Sequence, residues 1–402
     1  MNTNNTALRQ ITLPTRLPKV GTTIFTVMSA LANEHQAINL GQGFPDFGCD
    51  PALPEAVHQA MLAGHNQYPP MAGVGVLREG ISKKISALYG KTYHADTEIT
   101  ITAGGTQGIF TVIASAIGPG DEVIVIEPVY DSYVPAIDTV GGKAVPVQLI
   151  VKRDASGKIT GYEIPWDAIS QAITPRTKMI MINSPHNPTG MVWESEDLNK
   201  LADIVRNTNI LICSDEVYEH MVYDGKDHQS VARHPELAER SFVISSFGKT
   251  YHVTGWKVGY VAAPAQLTHE FRKVHQFNVF TVNTPMQYGL AKYLETAGHY
   301  LNLPKFYERK RDYLRAGLAK TKFHLLPTPG TYFQCVDYTQ LGIPESQLNS
   351  ADFCQWLTKE IGVAAIPVSA FYGDPVESGV IRFCFAKKEE TLAEALKRFS
   401  VL

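Results

Sequence analysis

The stretch FVISSFGKT at positions 242–250 runs from a short apolar segment, through two serines, into a lysine. Residues 242–244 have the continuous apolar character of a strand that is buried on both faces, as the strands of parallel sheets are. Lys249 follows the end of that strand. Because ligands of open α/β sheets bind just beyond the carboxyl ends of the strands, this stretch predicts a lysine at a ligand site.

Other short, nearly continuous apolar runs extend the same pattern along the chain. Helix-like stretches lie between several of them, which indicates an α/β layer with a mainly parallel sheet. The runs occupy residues 99–102, 123–126, 179–182, 210–213 and 258–262, and the helix-like stretches occupy residues 107–117, 194–206 and 235–239.

The last third of the chain has a different pattern. Helix-like stretches at 305–321 and 351–360 accompany strand-like stretches at 331–336 and 380–385, which favours a smaller α+β domain. An amphipathic helix pattern at 22–34 is not needed by the larger sheet and is expected to join that domain. The sequence thus predicts a large domain at 46–289 and a small domain formed by 1–45 and 290–402.

Composition narrows the class of protein. The 402 residues exceed what one hydrophobic core usually serves, and the 44% hydrophobic and 19% charged fractions are those of a globular protein. A formal net charge of -3 does not favour binding to nucleic acid or anionic lipid, so small-molecule partners are expected. The start of the chain lacks an apolar signal segment, and a cytoplasmic location is the expectation.

The cysteines show no pairing pattern. They stand at positions 49, 213, 335, 354 and 384, and they form no close pair and leave one unmatched. Reduced thiols in the core are therefore predicted, with neither a disulfide framework nor a metal site.

Polar residues follow several of the predicted strands. Gly104, Gly105 and Thr106 open a helix-like stretch, where free backbone amides and the helix dipole favour a phosphate, although a tight glycine turn without a ligand fits equally well. Asp215 follows an apolar strand, where a carboxylate needs a partner such as a protonated pyridine nitrogen. A helix cap or a salt bridge is the other interpretation of Asp215.

Lys249 has the chemistry to complete such a site. A lysine amine can form a Schiff base with an aldehyde cofactor if a water-poor pocket and a nearby cation keep it reactive. Lys257, eight positions further on, supplies that cation and can also meet a phosphate. The sequence does not match the nucleotide-binding motifs, because no G-x-G-x-x-G spacing exists and Val243 stands where a P-loop requires glycine. These residues favour pyridoxal phosphate as the ligand.

Other side chains are candidates for contacts with the cofactor or the substrate. Tyr218 and Asn187 are placed to bind a ring hydroxyl, and Tyr130 is an aromatic candidate for stacking on the ring, unless it serves only packing. The Asn187–Pro188 bond is a candidate cis peptide. Arg382 interrupts an apolar strand-like run, where it either binds a carboxylate bidentately or points outward from an edge strand.

Three ordered motifs carry a resemblance to a known family. They are NSPHNPTG at 183–190, SDEVY at 214–218, and SFGKT at 246–250 continuing to GWKVG at 255–259. Together they resemble class I pyridoxal-phosphate-dependent aminotransferases of fold type I, and the likeness covers most of the chain. LGQGFPDF at 40–47 and NQY at 66–68 are similar to the branch of kynurenine aminotransferase and glutamine transaminase K, in which bacterial methionine aminotransferase is the most similar member.

The resemblance implies a fold, a cofactor and roles for individual residues. It implies a large domain with a mainly parallel seven-stranded sheet, a smaller α+β domain, and a homodimer with shared active sites. Lys249 would bind the cofactor aldehyde and move the Cα proton. The implied cofactor contacts are Asp215 with the ring nitrogen, Asn187 and Tyr218 with the ring oxygen, and Gly105, Thr106, Ser246, Lys257 and Tyr68 of a second subunit with the phosphate; Gly43, Asn187 and Arg382 would bind the substrate carboxylate.

The expected activity is transfer of an amino group from an L-amino acid to a 2-oxo acid by a ping-pong mechanism. Aspartate aminotransferases bring a second arginine to the side-chain carboxylate, and residues 280–283 contain none. Phe280, Tyr68 and Phe25 are instead expected to line an apolar pocket for methionine, an aromatic residue or glutamine. A cysteine-conjugate carbon–sulfur β-lyase remains the alternative, and a cofactor-sensing regulator is disfavoured because about 20 residues before Gly21 leave no room for a DNA-binding module.

Overall fold

The computed structural model describes residues 13–374 and 376–402. The first 12 residues of the predicted small domain lie outside this part of the chain. Within the described ranges, no helix has both the length and the apolar content needed to cross a bilayer.

Strands make up four sheets in the described part of the chain. They are β1 Ile38–Asn39, β2 Ile99–Thr102, β3 Glu122–Glu127, β4 Lys143–Gln148, β5 Ile150–Arg153, β6 Ile159–Glu163, β7 Thr177–Asn183, β8 Leu211–Asp215, β9 Ser241–Ser246, β10 Gly259–Ala262, β11 His324–Leu325, β12 Phe333–Asp337, β13 Val363–Ala364, β14 Ile366–Pro367 and β15 Val380–Cys384.

Helices separate most of these strands. They are α1 Ile24–Glu34, α2 Ala52–Leu62, α3 Gly75–Tyr89, α4 Ala95–Glu98, α5 Gly104–Ala116, α6 Tyr133–Thr139, α7 Trp166–Gln171, α8 Ser195–Val205, α9 Pro235–Ala238, α10 Phe247–Thr250, α11 Ala265–Asn278, α12 Thr284–Leu294, α13 Gly298–Leu301, α14 Leu303–Leu318, α15 Ser350–Trp356 and α16 Glu389–Phe399.

Seven strands form the largest sheet, in the order β2-β10-β9-β8-β7-β3-β4. Only β10 runs antiparallel to its neighbours, and the remaining adjacent pairs are parallel. Since β2 and β9 both oppose β10, they run in the same direction as the other four strands. The carboxyl ends of six strands and the amino end of β10 therefore meet at one end of the sheet, which we call its carboxyl end. The predicted mainly parallel seven-stranded sheet is confirmed.

Burial on both faces explains the continuous apolar runs of these strands. In β7, Met179 and Met181 belong to the core on one face, and Ile180 and Ile182 belong to the core on the other. Successive side chains of a strand point to opposite faces, so a strand covered on both sides must be apolar throughout. Four of the five cysteines are buried and all are free thiols, which confirms the prediction of reduced core residues.

The last third of the chain forms a second, four-stranded antiparallel sheet in the order β11-β12-β15-β14. Residues near the start of the chain join this region, because β1 pairs in parallel with β13. β15 lies between two other strands and carries the buried Arg382. The interpretation of Arg382 as an outward-pointing residue on an edge strand is therefore wrong.

The sequence patterns did not reveal β4, the seventh strand of the large sheet. This strand lies at the edge, and only Val147 of its six residues is buried. An edge strand that is covered on one side needs no continuous apolar run, so the pattern that located the central strands does not occur there.

A buried ion pair ties α3 to the turn that follows β8. The Lys84 ammonium lies 2.6 Å from the Glu219 carboxylate, and both side chains are at most 4% exposed. Glu219 also accepts hydrogen bonds from Tyr89, at 2.5 Å, and Tyr260, at 3.2 Å. Burial alone would raise the pKa of Glu219, but the charge and hydrogen bond of Lys84 outweigh it and hold the pKa well below its usual range. This pair anchors the turn that begins at Asp215.

We expect Lys84→Met to destabilise the protein by about 3–5 kcal/mol, because it leaves the Glu219 charge buried without its cation. Lys91→Met is the matched control, since its partner Glu239 is 65% exposed and such a pair contributes at most about 1 kcal/mol. Urea unfolding of both variants and the parent, followed by tryptophan fluorescence, measures the difference. Equal midpoints for the two variants would contradict the anchoring role of Lys84.

Candidate active site

A cavity of about 290 Å³ opens at the carboxyl end of the large sheet. Its walls come from the segments that follow β2, β3, β7, β8 and β9, together with residues from α1, the segment after β1, β12 and β15. Five strand ends of the sheet and the second sheet therefore contribute to one site. Its lining contains three cationic side chains, Lys249, Lys257 and Arg382, and two carboxylates, Asp131 and Asp215.

Lys249 lies in the single-turn helix α10, immediately after β9. Its amine donates to the Tyr332 hydroxyl at 3.0 Å and to the Gly43 carbonyl at 3.3 Å. Burial, assisted by the positive charges of Arg382 and Lys257, lowers the pKa of Lys249 to about 8. More of this amine than of a free lysine is therefore neutral near pH 7 and available as a nucleophile or base.

Asp215 is the last residue of β8 and is buried. One of its carboxylate oxygens accepts a hydrogen bond from Tyr133 at 2.5 Å, and the other accepts one from the Val217 amide at 3.3 Å. Burial raises the pKa of Asp215 to about 6. No lysine or arginine of the described chain forms an ion pair with this carboxylate, so a cationic ligand group in the cavity would stabilise its charged form.

The start of α5 forms an anion-binding concavity. Gly104 has a φ of +81°, and a Cβ atom there would lie 3.4 Å from the Lys257 ammonium, so glycine suits this backbone conformation. The first amides of a helix have no acceptor within the helix, and the hydroxyl groups of Thr106 and Ser246 line the same cavity. Lys257 reaches this point because β10 is antiparallel and begins at the carboxyl end of the sheet.

Arg382 lines the cavity from β15 of the second sheet. Its guanidinium donates to the Asn187 side-chain oxygen at 2.6 Å and to the Gly41 carbonyl at 3.2 Å, and it lies 3.8 Å from the centre of the Phe333 ring. Its Nε atom is buried and has no acceptor within the described residues. A guanidinium that is held in place and lines the cavity suits a carboxylate ligand. The Asn187–Pro188 bond is cis, as predicted.

The structure brings together most of the site residues predicted from the sequence. Tyr68 and Phe280 are the exceptions, because they do not line the cavity of the single chain. Their rings pack against each other with centroids 5.4 Å apart, and they are 81% and 49% exposed. The predicted residues that line the cavity are Phe25, Gly43, Gly104, Gly105, Thr106, Tyr130, Asn187, Asp215, Tyr218, Ser246, Lys249, Lys257 and Arg382.

Sequence reasoning did not find every polar residue at the site, and Tyr332, Tyr133 and Asp131 are the ones with the most direct bearing on its charges. Tyr332 and Tyr133 hydrogen-bond Lys249 and Asp215, although each lies more than 80 residues away in the chain. Asp131 directly follows the predicted residue Tyr130 and also lines the cavity. Only the position of Asp131, next to a residue already selected, gave a signal in the sequence; the two tyrosines had none.

The chain is similar to proteins of known activity. It is 47% identical to methionine aminotransferase of Escherichia coli (strain K12), with all of both chains covered, and 39% identical to a probable N-succinyldiaminopimelate aminotransferase of Mycobacterium tuberculosis, with 96% of this chain and 98% of that one covered. A kynurenine–oxoglutarate transaminase of Dictyostelium discoideum is 34% identical over 93% of each chain. The predicted resemblance to this branch is confirmed.

A solved structure supports the same relationship. An Escherichia coli protein described as having a methionine aminotransferase function superposes with a TM-score of 0.93 at 46% identity, covering 98% of this chain and 100% of that one. The sequence model of the family described as aminotransferase class I and II matches residues 35–399. This match spans the sheet, the cavity and the second sheet, and the chain therefore belongs to the class I and II aminotransferases.

Proposed function

We propose that this aminotransferase binds pyridoxal phosphate in the cavity and moves the amino group of a neutral L-amino acid to a 2-oxo acid by a ping-pong mechanism. The observation that carries the proposal is the arrangement of Lys249, Asp215 and Arg382 around one cavity. The family depends on pyridoxal phosphate. Methionine, an aromatic residue or glutamine is the proposed donor.

The lining of the cavity fits the groups of this cofactor. The start of α5, with Thr106, Ser246 and Lys257, is suited to the phosphate. The Asp215 carboxylate is suited to a protonated ring nitrogen, and Asn187 and Tyr218 are suited to the ring oxygen. Lys249 is the amine that would hold the aldehyde carbon. Tyr130 is the proposed stacking partner of the ring.

The roles of the protein side chains follow from their contacts. Pyridoxal phosphate, when bound, supplies an electron sink that stabilises negative charge at the substrate Cα. Arg382, fixed by Asn187 and Gly41, would bind the α-carboxylate and orient the substrate. The Lys249 amine, with its lowered pKa, would remove the proton from the substrate Cα and then deliver it to the cofactor carbon. Tyr332 holds this amine in position.

A homodimer with shared sites is part of the proposal. Tyr68 and Phe280 form an exposed aromatic pair. Exposed apolar side chains that lie together are typical of protein interfaces. In the proposed dimer, Tyr68 reaches the phosphate of the second subunit, and Phe280 joins Phe25 in lining the substrate pocket.

The division of the chain into two domains also remains a proposal. We place the large domain at 46–289 and form the small domain from 1–45 and 290–402. The pairing of β1 with β13 supports this division, because it attaches the start of the chain to its last third. A cytoplasmic location is likewise proposed from the composition of the chain.

The purified protein should convert methionine and phenylpyruvate to phenylalanine and the 2-oxo acid of methionine, one for one. Amino-acid analysis of the products, with thiol and ammonia measured in the same reaction, tests this. The same assay with an S-substituted cysteine as donor tests the β-lyase alternative. Stoichiometric thiol and ammonia without a new amino acid would contradict the proposed transfer.

The rate at which the cofactor-free protein takes up pyridoxal phosphate should rise with pH, with a midpoint near 8. Only the neutral amine attacks an aldehyde, and burial lowers the pKa of Lys249 to about 8, so the reactive fraction grows as pH rises through that value. Visible absorbance in stopped-flow mixing follows the uptake. A rate that is still rising at pH 10, as expected for a free lysine, would contradict the lowered pKa.

A further inference from the structure

One charged group in the cavity has no role in the proposed chemistry. Asp131 lies between β3 and α6, lines the cavity and is partly buried. Its carboxylate forms no ion pair and accepts no hydrogen bond from another side chain within the described residues. A carboxylate in such a place is costly to leave without a partner, which indicates that its charge serves the site.

The other charges of the cavity are already matched by the proposed ligands. Lys257 faces the phosphate, Asp215 the ring nitrogen and Arg382 the α-carboxylate, while Lys249 serves the chemistry. No cation of the described lining remains for a second carboxylate on the substrate. Asp131 is therefore a negative charge left over in a cavity that Phe25, Phe44 and Phe333 line together with uncharged polar residues.

We propose that Asp131 determines substrate specificity by repelling donors and acceptors that carry an anionic side chain. This inference rests on the proposed function. A like charge within a partly buried cavity is screened less than one at the surface, so a glutamate or aspartate side chain would meet a repulsion that a methionine side chain does not. Asp131 would thereby repel dicarboxylic substrates, which also find no second arginine to bind their side-chain carboxylate.

Burial and the charge of Arg382 act on the Asp131 carboxylate in opposite directions. Burial raises the pKa of Asp131, while the positive charge of Arg382 acts in the opposite direction. When the α-carboxylate of a substrate neutralises Arg382, the positive charge of Arg382 no longer offsets the negative charge of Asp131. We place Asp131 beside the part of the cavity that would take the substrate side chain, so the repulsion would act on an anionic group there.

The test compares kcat/KM for glutamate with kcat/KM for methionine, with one fixed 2-oxo acid acceptor. Asp131→Asn should raise the glutamate-to-methionine ratio about tenfold, which corresponds to about 1.4 kcal/mol. Asp131→Glu, which keeps the charge, should keep the ratio within a small factor of the parent value. Asp138→Asn is the matched control, because it removes the same charge from an exposed position on α6 and should leave the ratio unchanged.

If Asp131→Asn loses turnover with both donors, inhibition constants test the same inference. Glutarate cannot react, and its inhibition constant against methionine should fall about tenfold in Asp131→Asn, while that of 4-(methylthio)butanoate should not change. An unchanged ratio together with an unchanged glutarate constant would overturn the inference, as would an equal effect in Asp138→Asn. Failure of the proposed function is distinguishable, because the parent protein would then transfer no amino group from any donor.

Discussion

The common direction of six strands in the large sheet is the constraint on which the site depends. Because these strands all end at the same place, side chains that are far apart in sequence, such as Asp215 and Lys249, are delivered to one cavity. The single antiparallel strand, β10, begins there and brings Lys257 to the start of α5. The second sheet then closes the cavity with Arg382. Reversing any of these strands would remove its charged residue from the site.

The charges of the cavity gain their properties from burial and from fixed neighbours. Burial lowers the pKa of Lys249 and raises that of Asp215, so both groups stand closer to neutral pH than free side chains do. Tyr332 and Tyr133 hold these two groups by hydrogen bonds. The buried pair of Lys84 and Glu219 fixes the turn that follows Asp215. The packing that orients Lys249 and Asp215 therefore also shifts their pKa values.

Sequence reasoning located the parts of the fold that are buried on both faces. The central strands and Lys249 could be predicted because continuous apolar runs and the polar residues after them are local signals. The edge strand β4 could not, since its mixture of exposed and half-buried residues resembles that of many loops. Tyr332 and Tyr133 could not be assigned to the site either, because their contacts depend on how distant segments pack. The proposed roles of Tyr68 and Phe280 depend on a second subunit rather than on packing within this chain.

The central claim is that Lys249 is the lysine that holds the cofactor, while Lys257 faces the phosphate. The most direct measurement is the visible absorption spectrum of protein purified with pyridoxal phosphate, compared for the parent, Lys249→Ala and the exposed control Lys200→Ala. The parent and Lys200→Ala should be yellow with the same long-wavelength band, and Lys249→Ala should lack it. An unchanged band in Lys249→Ala would contradict the claim.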